Sequence, residues 1–99
     1  MRTFVEKLSE KQISKIQSEL DFFKSKGFEI TEERNLPRWR GGEGMKYVLH
    51  NNNGIELTCI YDLLYSERLS CRFSMWSEKW GFYVRDRIKT FKEFRKDFE

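Results

Sequence analysis

Proline, cysteine and histidine are scarce in this chain of 99 residues, which has one proline, two cysteines and one histidine. Two cysteines are too few for a disulfide scaffold, and a structural zinc site needs about four ligands. No apolar run approaches the ~18 residues of a membrane span. The first residues also lack the apolar core of a signal peptide. These absences predict a cytoplasmic protein with no membrane, cofactor or metal partner.

The common sequence motifs of catalysis and nucleotide binding are also absent. The chain has no GxGxxG, no P-loop and no HExxH. The glycines Gly41, Gly42 and Gly44 precede a predicted strand, whereas a phosphate cradle needs a helix N-terminus. No carboxylates form a recognisable catalytic pair. We therefore assign no catalytic residue.

Aromatic residues are abundant and provide the predicted core. Nine Phe, four Tyr and three Trp compensate for a hydrophobic content of 38%, since each ring buries roughly 150–250 Å². A chain of this length supports one hydrophobic core. We predict a single domain over residues 1–99.

The segment 45–61 (MKYVLHNNNGIELTCIY) predicts a β-hairpin, because two alternating runs flank NNNG. Each run has an alternating apolar set, which is Met45, Tyr47 and Leu49 in the first run and Ile55, Leu57, Cys59 and Tyr61 in the second. A two-residue loop, Asn53-Gly54, would place these two sets on opposite faces. A three-residue loop that begins at Asn52 aligns both sets on one face. A slip of one residue reverses a strand's faces, so the three-residue loop is favoured, with Gly54 left-handed.

Two helices and three further strands complete the prediction. Residues 9–26 are typical of an amphipathic helix that opens with a capping box and ends at Gly27. Residues 28–30 indicate a short edge strand, and residues 31–44 a long irregular loop. Residues 68–76 and 80–85 indicate strands, with Trp80, Phe82 and Val84 continuing the inward apolar set. A second capping box at Thr90 opens a C-terminal helix.

These elements predict an α+β fold in the order α-β-β-β-β-β-α. Its mainly antiparallel meander sheet has four or five strands, and both helices cover one face. Cys59 and Cys71 both belong to the inward set, which favours reduced, buried thiols over a cross-strand disulfide.

The uncovered face of this sheet is the first candidate binding surface. It is expected to carry Arg72, Trp76, Tyr83 and Arg85. Arginine, tryptophan and tyrosine dominate hot spots at protein interfaces, and they also suit nucleic acids by stacking on bases and contacting phosphates. The alternative is an ordinary exposed face on which cross-strand aromatic pairs only stabilise the sheet.

The predicted loop 31–44 is the second candidate. Arg38, Trp39 and Arg40 place a tryptophan between two arginines beside glycines. The ring could insert into a partner or stack on a base. Alternatively, Trp39 anchors the loop on an end of the core.

Two weaker signals concern charge and acid–base chemistry. The net charge is +3, and residues 79–96 hold a basic excess that suits either phosphate binding or a solvated helix face. The sole histidine, His50, could act as a general acid or base with Glu56, Arg72 or Tyr83. Near a hairpin turn it could equally be a solvated side chain.

The sequence supports three functional hypotheses, in order. The first is a small non-catalytic protein (an inhibitor, immunity-type or adaptor protein) that binds a protein partner through the open sheet face and the 31–44 loop. The second is a module that binds RNA or single-stranded DNA. The third is a metal-independent ribonuclease using His50, Arg72 and Tyr83. A homodimer through the open face would use the same aromatic residues.

Overall fold

The chain forms a helix, five antiparallel strands and a short C-terminal helix, in the predicted order. A computed structural model describes residues 7–37, 43–63 and 68–99. The elements are α1 Glu10–Ser25, β1 Glu29–Pro37, β2 Glu43–His50, β3 Ile55–Leu63, β4 Leu69–Ser77, β5 Phe82–Ile88 and α2 Phe91–Arg95, followed by a 3₁₀ turn Lys96–Phe98. The strands form one open sheet in the order β1-β2-β3-β4-β5. The predicted α+β fold class is confirmed.

Helix α1 begins and ends as its sequence predicts. Ser9 Oγ accepts from the Gln12 backbone N–H, and the Gln12 side chain accepts from the Ser9 N–H, which completes the capping box. At the other end Gly27 has φ 93°, and the Phe28 N–H donates to the Phe23 carbonyl oxygen at 3.2 Å. This Schellman closure turns the chain toward the sheet.

The β2–β3 hairpin has the predicted three-residue loop. Leu49 lies opposite Leu57, and Gly54 has φ 75°. The Asn51 side-chain oxygen accepts from the backbone N–H groups of Asn53 and Ile55, both at 3.0 Å. The asparagine thus fixes the turn, and the register keeps both apolar sets on the inner face.

The prediction of an irregular loop over 31–44 is wrong for residues 31–37 and 43–44, which belong to strands, and its remaining residues 38–42 lie outside the described residues. Strand β1 continues to Pro37, and β2 starts at Glu43. The sequence of β1 lacks apolar alternation because residues 31–35 are exposed on a sheet edge, and only Ile30 of the strand packs against the core. An edge strand without a buried face carries no period-2 signal.

The core lies between the inner face of the sheet and the two helices, and it is largely a cluster of phenylalanines. Phe23 of α1 contacts Phe73 of β4 and Phe94 of α2, with ring centroids 6.2 and 5.7 Å apart. The C-terminal turn also reaches this cluster, since the ring of Phe98 lies 5.8 Å from that of Phe28, just after α1. Both helices therefore cover the same face, as predicted.

The helices are too short or too polar to cross a bilayer, as far as the described residues show.

Candidate protein-binding surface

The face opposite the helices, here called the outer face, is defined by the strand registers. Each row runs across the strands at one level of the sheet. The row nearest the two hairpin turns contains Glu29, His50, Glu56, Trp76 and Tyr83. The next contains Glu32, Val48, Thr58 and Ser74, with Asp86 beside Ser74. The third contains Arg34, Lys46, Ile60 and Arg72.

Four aromatic side chains gather where the β4–β5 hairpin ends, and we call them the tip patch (Trp76, Trp80, Phe82 and Tyr83). Trp76 and Tyr83 lie opposite each other on the outer face, with ring centroids 4.9 Å apart and a T-shaped geometry. Trp80 and Phe82 are stacked, with centroids 5.8 Å apart. Trp80 is 60% exposed, and Phe82 and Tyr83 are each 54% exposed. Trp80, Phe82 and Tyr83 are the exposed large hydrophobic side chains among the described residues.

Trp80 and Phe82 were predicted to continue the inward apolar set of the core, and this is wrong because both side chains are exposed. The turn occupies residues 78–81, closed by a bond of 2.8 Å from the Gly81 N–H to the Ser77 carbonyl oxygen. Trp80 therefore belongs to the turn. Phe82 keeps the inward phase opposite Ser77 yet remains exposed. Gly81, which has φ 67°, is the residue whose identity could have placed the turn at 78–81 from the sequence.

The prediction that Arg85 lies on the outer face is also wrong. Tyr83 is opposite Trp76, but Arg85 is opposite Met75, so Val84 is an extra residue in β5. Because of this bulge, the residues of β5 after Tyr83 no longer follow the face alternation that the sequence predicts. The Arg85 guanidinium donates to the two carboxylate oxygens of Asp97 at 2.7 and 3.3 Å, and these bonds raise its pKa.

Arg72 is on the outer face, as predicted, but two rows away from the tip patch. Its guanidinium lies 3.5 Å from the Asp62 carboxylate. Arg87 is likewise 3.7 Å from Asp86. The outer rows mix both charge signs, so the face is not a basic surface.

Of the companions predicted for His50 in acid–base chemistry, Glu56 lies beside it, and Arg72 and Tyr83 do not. Thr31 Oγ1 lies 2.7 Å from His50 Nδ1, and His50 Nε2 is 3.9 Å from a Glu56 carboxylate oxygen. Tyr83 is three strands from His50 within the same row, and Arg72 is in another row. Adjacent strands are about 4.8 Å apart, so Tyr83 lies about 14 Å across the sheet from His50 and does not contact it.

The other predicted site residues, Arg38, Trp39 and Arg40, lie outside the described residues.

A second group of titratable side chains is buried beneath α1. Glu19 is 2% exposed, and one of its carboxylate oxygens accepts from the Tyr61 hydroxyl at 3.1 Å. Burial raises the pKa of Glu19, which Lys15 partly opposes, and also the pKa of Tyr61 and of the Cys59 and Cys71 thiols.

Compared with protein-family models, curated protein sequences and solved structures, the chain gave no match.

Proposed function

We propose that this protein is a small non-catalytic protein that acts by binding a protein partner through the tip patch and the adjoining outer face. The observation that carries the proposal is the exposure of Trp80, Phe82 and Tyr83, each more than half accessible. Exposed aromatic side chains clustered at one end of a hairpin are typical of interaction sites in soluble proteins, and tryptophan and tyrosine are enriched among hot spots.

The geometry of the patch suits a protein partner. The rings form two pairs, Trp76 with Tyr83 and Trp80 with Phe82, so each side chain holds its neighbour in place. Rigid aromatic side chains lose little conformational entropy on binding. The patch also surrounds the end of the β4–β5 hairpin, which projects its rings to solvent. Inhibitors, immunity-type proteins and adaptors act in this way, and we place this activity in the cytoplasm.

The charges favour protein over nucleic acid as the ligand. Among the arginines expected to contact phosphate, Arg72, Arg85 and Arg87 each lie beside a carboxylate, at 3.5, 2.7 and 3.7 Å. Glu56 stands directly opposite Trp76, and Glu78 lies in the turn. Carboxylates next to the stacking rings would repel a phosphate backbone.

The proposal is tested by capturing partners from the native host lysate with immobilised protein, with and without nuclease, followed by mass spectrometry. The double variants Trp76→Ala/Tyr83→Ala and Trp80→Ala/Phe82→Ala should each weaken capture of a nuclease-resistant partner by about 30-fold or more, as expected for hot spots. Lys79→Ala, in the same turn but without an aromatic ring, is the matched control and should bind normally. Unchanged capture by both double variants would refute the patch as the site.

RNA or single-stranded DNA binding is the second candidate, favoured by the row of Arg34, Lys46 and Arg72. It predicts binding of random oligonucleotides that weakens steeply with salt. Fluorescence anisotropy at low ionic strength measures this directly. Partners lost on nuclease digestion would promote this candidate above the first.

A further inference from the structure

Among the described residues, strand β1 has a regular edge that pairs with no second strand. β1 and β5 are the two outermost strands. β5 pairs irregularly with β4, and Arg87 adopts φ 59°, so its edge is a poor template for another strand. In contrast, the six residues Glu32–Pro37 pair with β2 in unbroken register. No described strand pairs with their other side, which presents the regularly spaced backbone donors and acceptors of Glu32–Leu36.

A groove of about 250 Å³ lies beside this edge, between α1 and β1. Its base is formed by buried Ile16, Leu20 and Tyr47, and half-buried Ile13 and Ile30 remain open to solvent at its sides. The side chains of α1 reach the central strands, where Phe23 contacts Phe73 of β4 and Glu19 contacts Tyr61 of β3, and the groove lies to one side of these contacts. An occupant of the β1 edge would border this groove as well.

The charges along β1 are complementary to those of the same strand running in the opposite direction. If two copies pair antiparallel about Glu33, then Glu32 of each copy lies opposite Arg34 of the other. Both side chains are on the outer face and exposed, and neither has an ion-pair partner within the described residues. Within its own chain Arg34 instead lies opposite Lys46, a like charge.

We propose that the β1 edge is a dimer interface, at which a second copy of this chain adds antiparallel and joins the two sheets into one. The two-fold axis generates two equivalent Glu32–Arg34 pairs, as an isologous interface requires. Both α1 helices then lie on the same side of the joined sheet. The second copy borders the open side of the groove, which accounts for the apolar residues exposed there.

One contact opposes this pairing and supplies a diagnostic variant. Glu33 lies opposite its own counterpart in the second copy. It faces the groove, and Lys24 of each copy lines that groove too, which moderates the repulsion. Glu33→Gln removes the like-charge contact, so it should tighten the dimer about threefold.

Sedimentation velocity over roughly 1 µM to 1 mM protein tests the proposal, with wild type expected to dimerise in this range. Arg34→Glu and Glu32→Arg each replace two attractive pairs with two repulsive ones and should raise the dimer dissociation constant by about tenfold or more. The double variant Glu32→Arg/Arg34→Glu recreates the pairs with exchanged signs and should restore dimerisation to within about threefold. Arg68→Glu, the same charge change outside β1, should have no effect.

Hydrogen exchange supplies a second readout. Alternate amides of residues 32–36 should gain protection as the concentration rises, because only every second N–H of an edge strand is free to pair. A protein that stays monomeric throughout, or a double variant that fails to recover, overturns the proposal. Dimerisation abolished by Trp76→Ala/Tyr83→Ala but not by Arg34→Glu would assign the contact to the outer face instead. The tip patch is a different surface, so each proposal can fail without the other.

Discussion

At the scale of single residues, Glu19 shows how the fold accommodates a buried carboxyl group. One carboxylate oxygen bonds to the Tyr61 hydroxyl, and the other has no hydrogen-bond partner among the described residues. The fold stabilises the protonated form because burial penalises the charge.

Glu19→Gln should change how stability depends on pH. The pKa of Glu19 is raised in the folded state, so its contribution is most favourable below the unfolded pKa and is lost as pH rises through the folded value. The amide keeps the acceptor for Tyr61 and cannot ionise. We expect the variant to gain about 1–3 kcal/mol over wild type at pH 8, because an ionised buried carboxylate is costly, and to gain little at pH 4.

Urea unfolding at both pH values measures this difference. Glu29→Gln, an exposed carboxylate on β1, is the control and should leave the pH dependence unchanged. If the free energies of unfolding of wild type and Glu19→Gln differ by the same amount at both pH values, Glu19 does not control the pH dependence.

The two cysteines should react at different rates. Cys59 is fully buried, whereas Cys71 is half-buried and its thiol donates to the Lys89 carbonyl oxygen at 3.4 Å. Burial raises the pKa of both thiols, which lowers the thiolate fraction. Iodoacetamide labelling followed by mass spectrometry should modify Cys71 slowly and Cys59 only on global unfolding. Equal rates in the native protein would contradict this order.

At the scale of elements, the end of α1 depends on one backbone conformation. Gly27 has φ 93°, and a Cβ atom added there would meet nothing within 4 Å. The cost of a side chain is therefore conformational and not steric crowding.

Gly27→Ala should lower the free energy of unfolding by about 1 kcal/mol, and Gly27→Asn by less, because asparagine tolerates the left-handed region. Thermal and urea unfolding of the two variants measure the difference. An alanine variant as stable as wild type would mean that the helix can end in another conformation.

The sequence predicted elements with a buried face better than elements without one. Alternation in the sequence located β2, β3 and β4, since each of these strands has a buried inner face, such as Leu57, Cys59 and Tyr61 in β3. It failed for β1, whose residues 31–35 are all exposed. It also failed beyond Tyr83, because the extra residue Val84 in β5 moves Arg85 opposite Met75. A bulge depends on the partner strand, so one strand's own sequence does not reveal it.

The candidate surface was predicted in part. The sequence placed Trp76 and Tyr83 on the same face, and they pair there. It assigned Trp80 and Phe82 to the core, because hydrophobicity alone does not tell a core strand from an exposed hairpin end. The arginines Arg72 and Arg85 were expected beside these rings, but each lies next to an aspartate elsewhere.

At the scale of the whole molecule, stability and binding use different aromatic residues. Phe23 is completely buried and contacts rings from β4 and α2, whereas Trp80 and Phe82 are largely solvent-exposed. Phe23→Ala should cost about 3–5 kcal/mol, a large share of the stability of a small domain. Trp80→Ala/Phe82→Ala should stay within about 1 kcal/mol of wild type.

Urea unfolding of these variants separates the two roles. A large loss of stability in the Trp80→Ala/Phe82→Ala variant would mean that these rings support the hairpin, and the binding test would then need a different substitution.

The strand order has a consequence for the sequence of folding events. Every sheet contact joins strands that are neighbours along the chain, so each hairpin can close over a short loop. The phenylalanine cluster, in contrast, joins α1 to the C-terminal turn, as the Phe23–Phe98 contact shows. Bringing these distant segments together costs more loop-closure entropy than closing a hairpin. We therefore expect the sheet to assemble first and the helices to pack on it last. Pulse-labelled hydrogen exchange during refolding should then protect the amides of β2–β4 before those of α2.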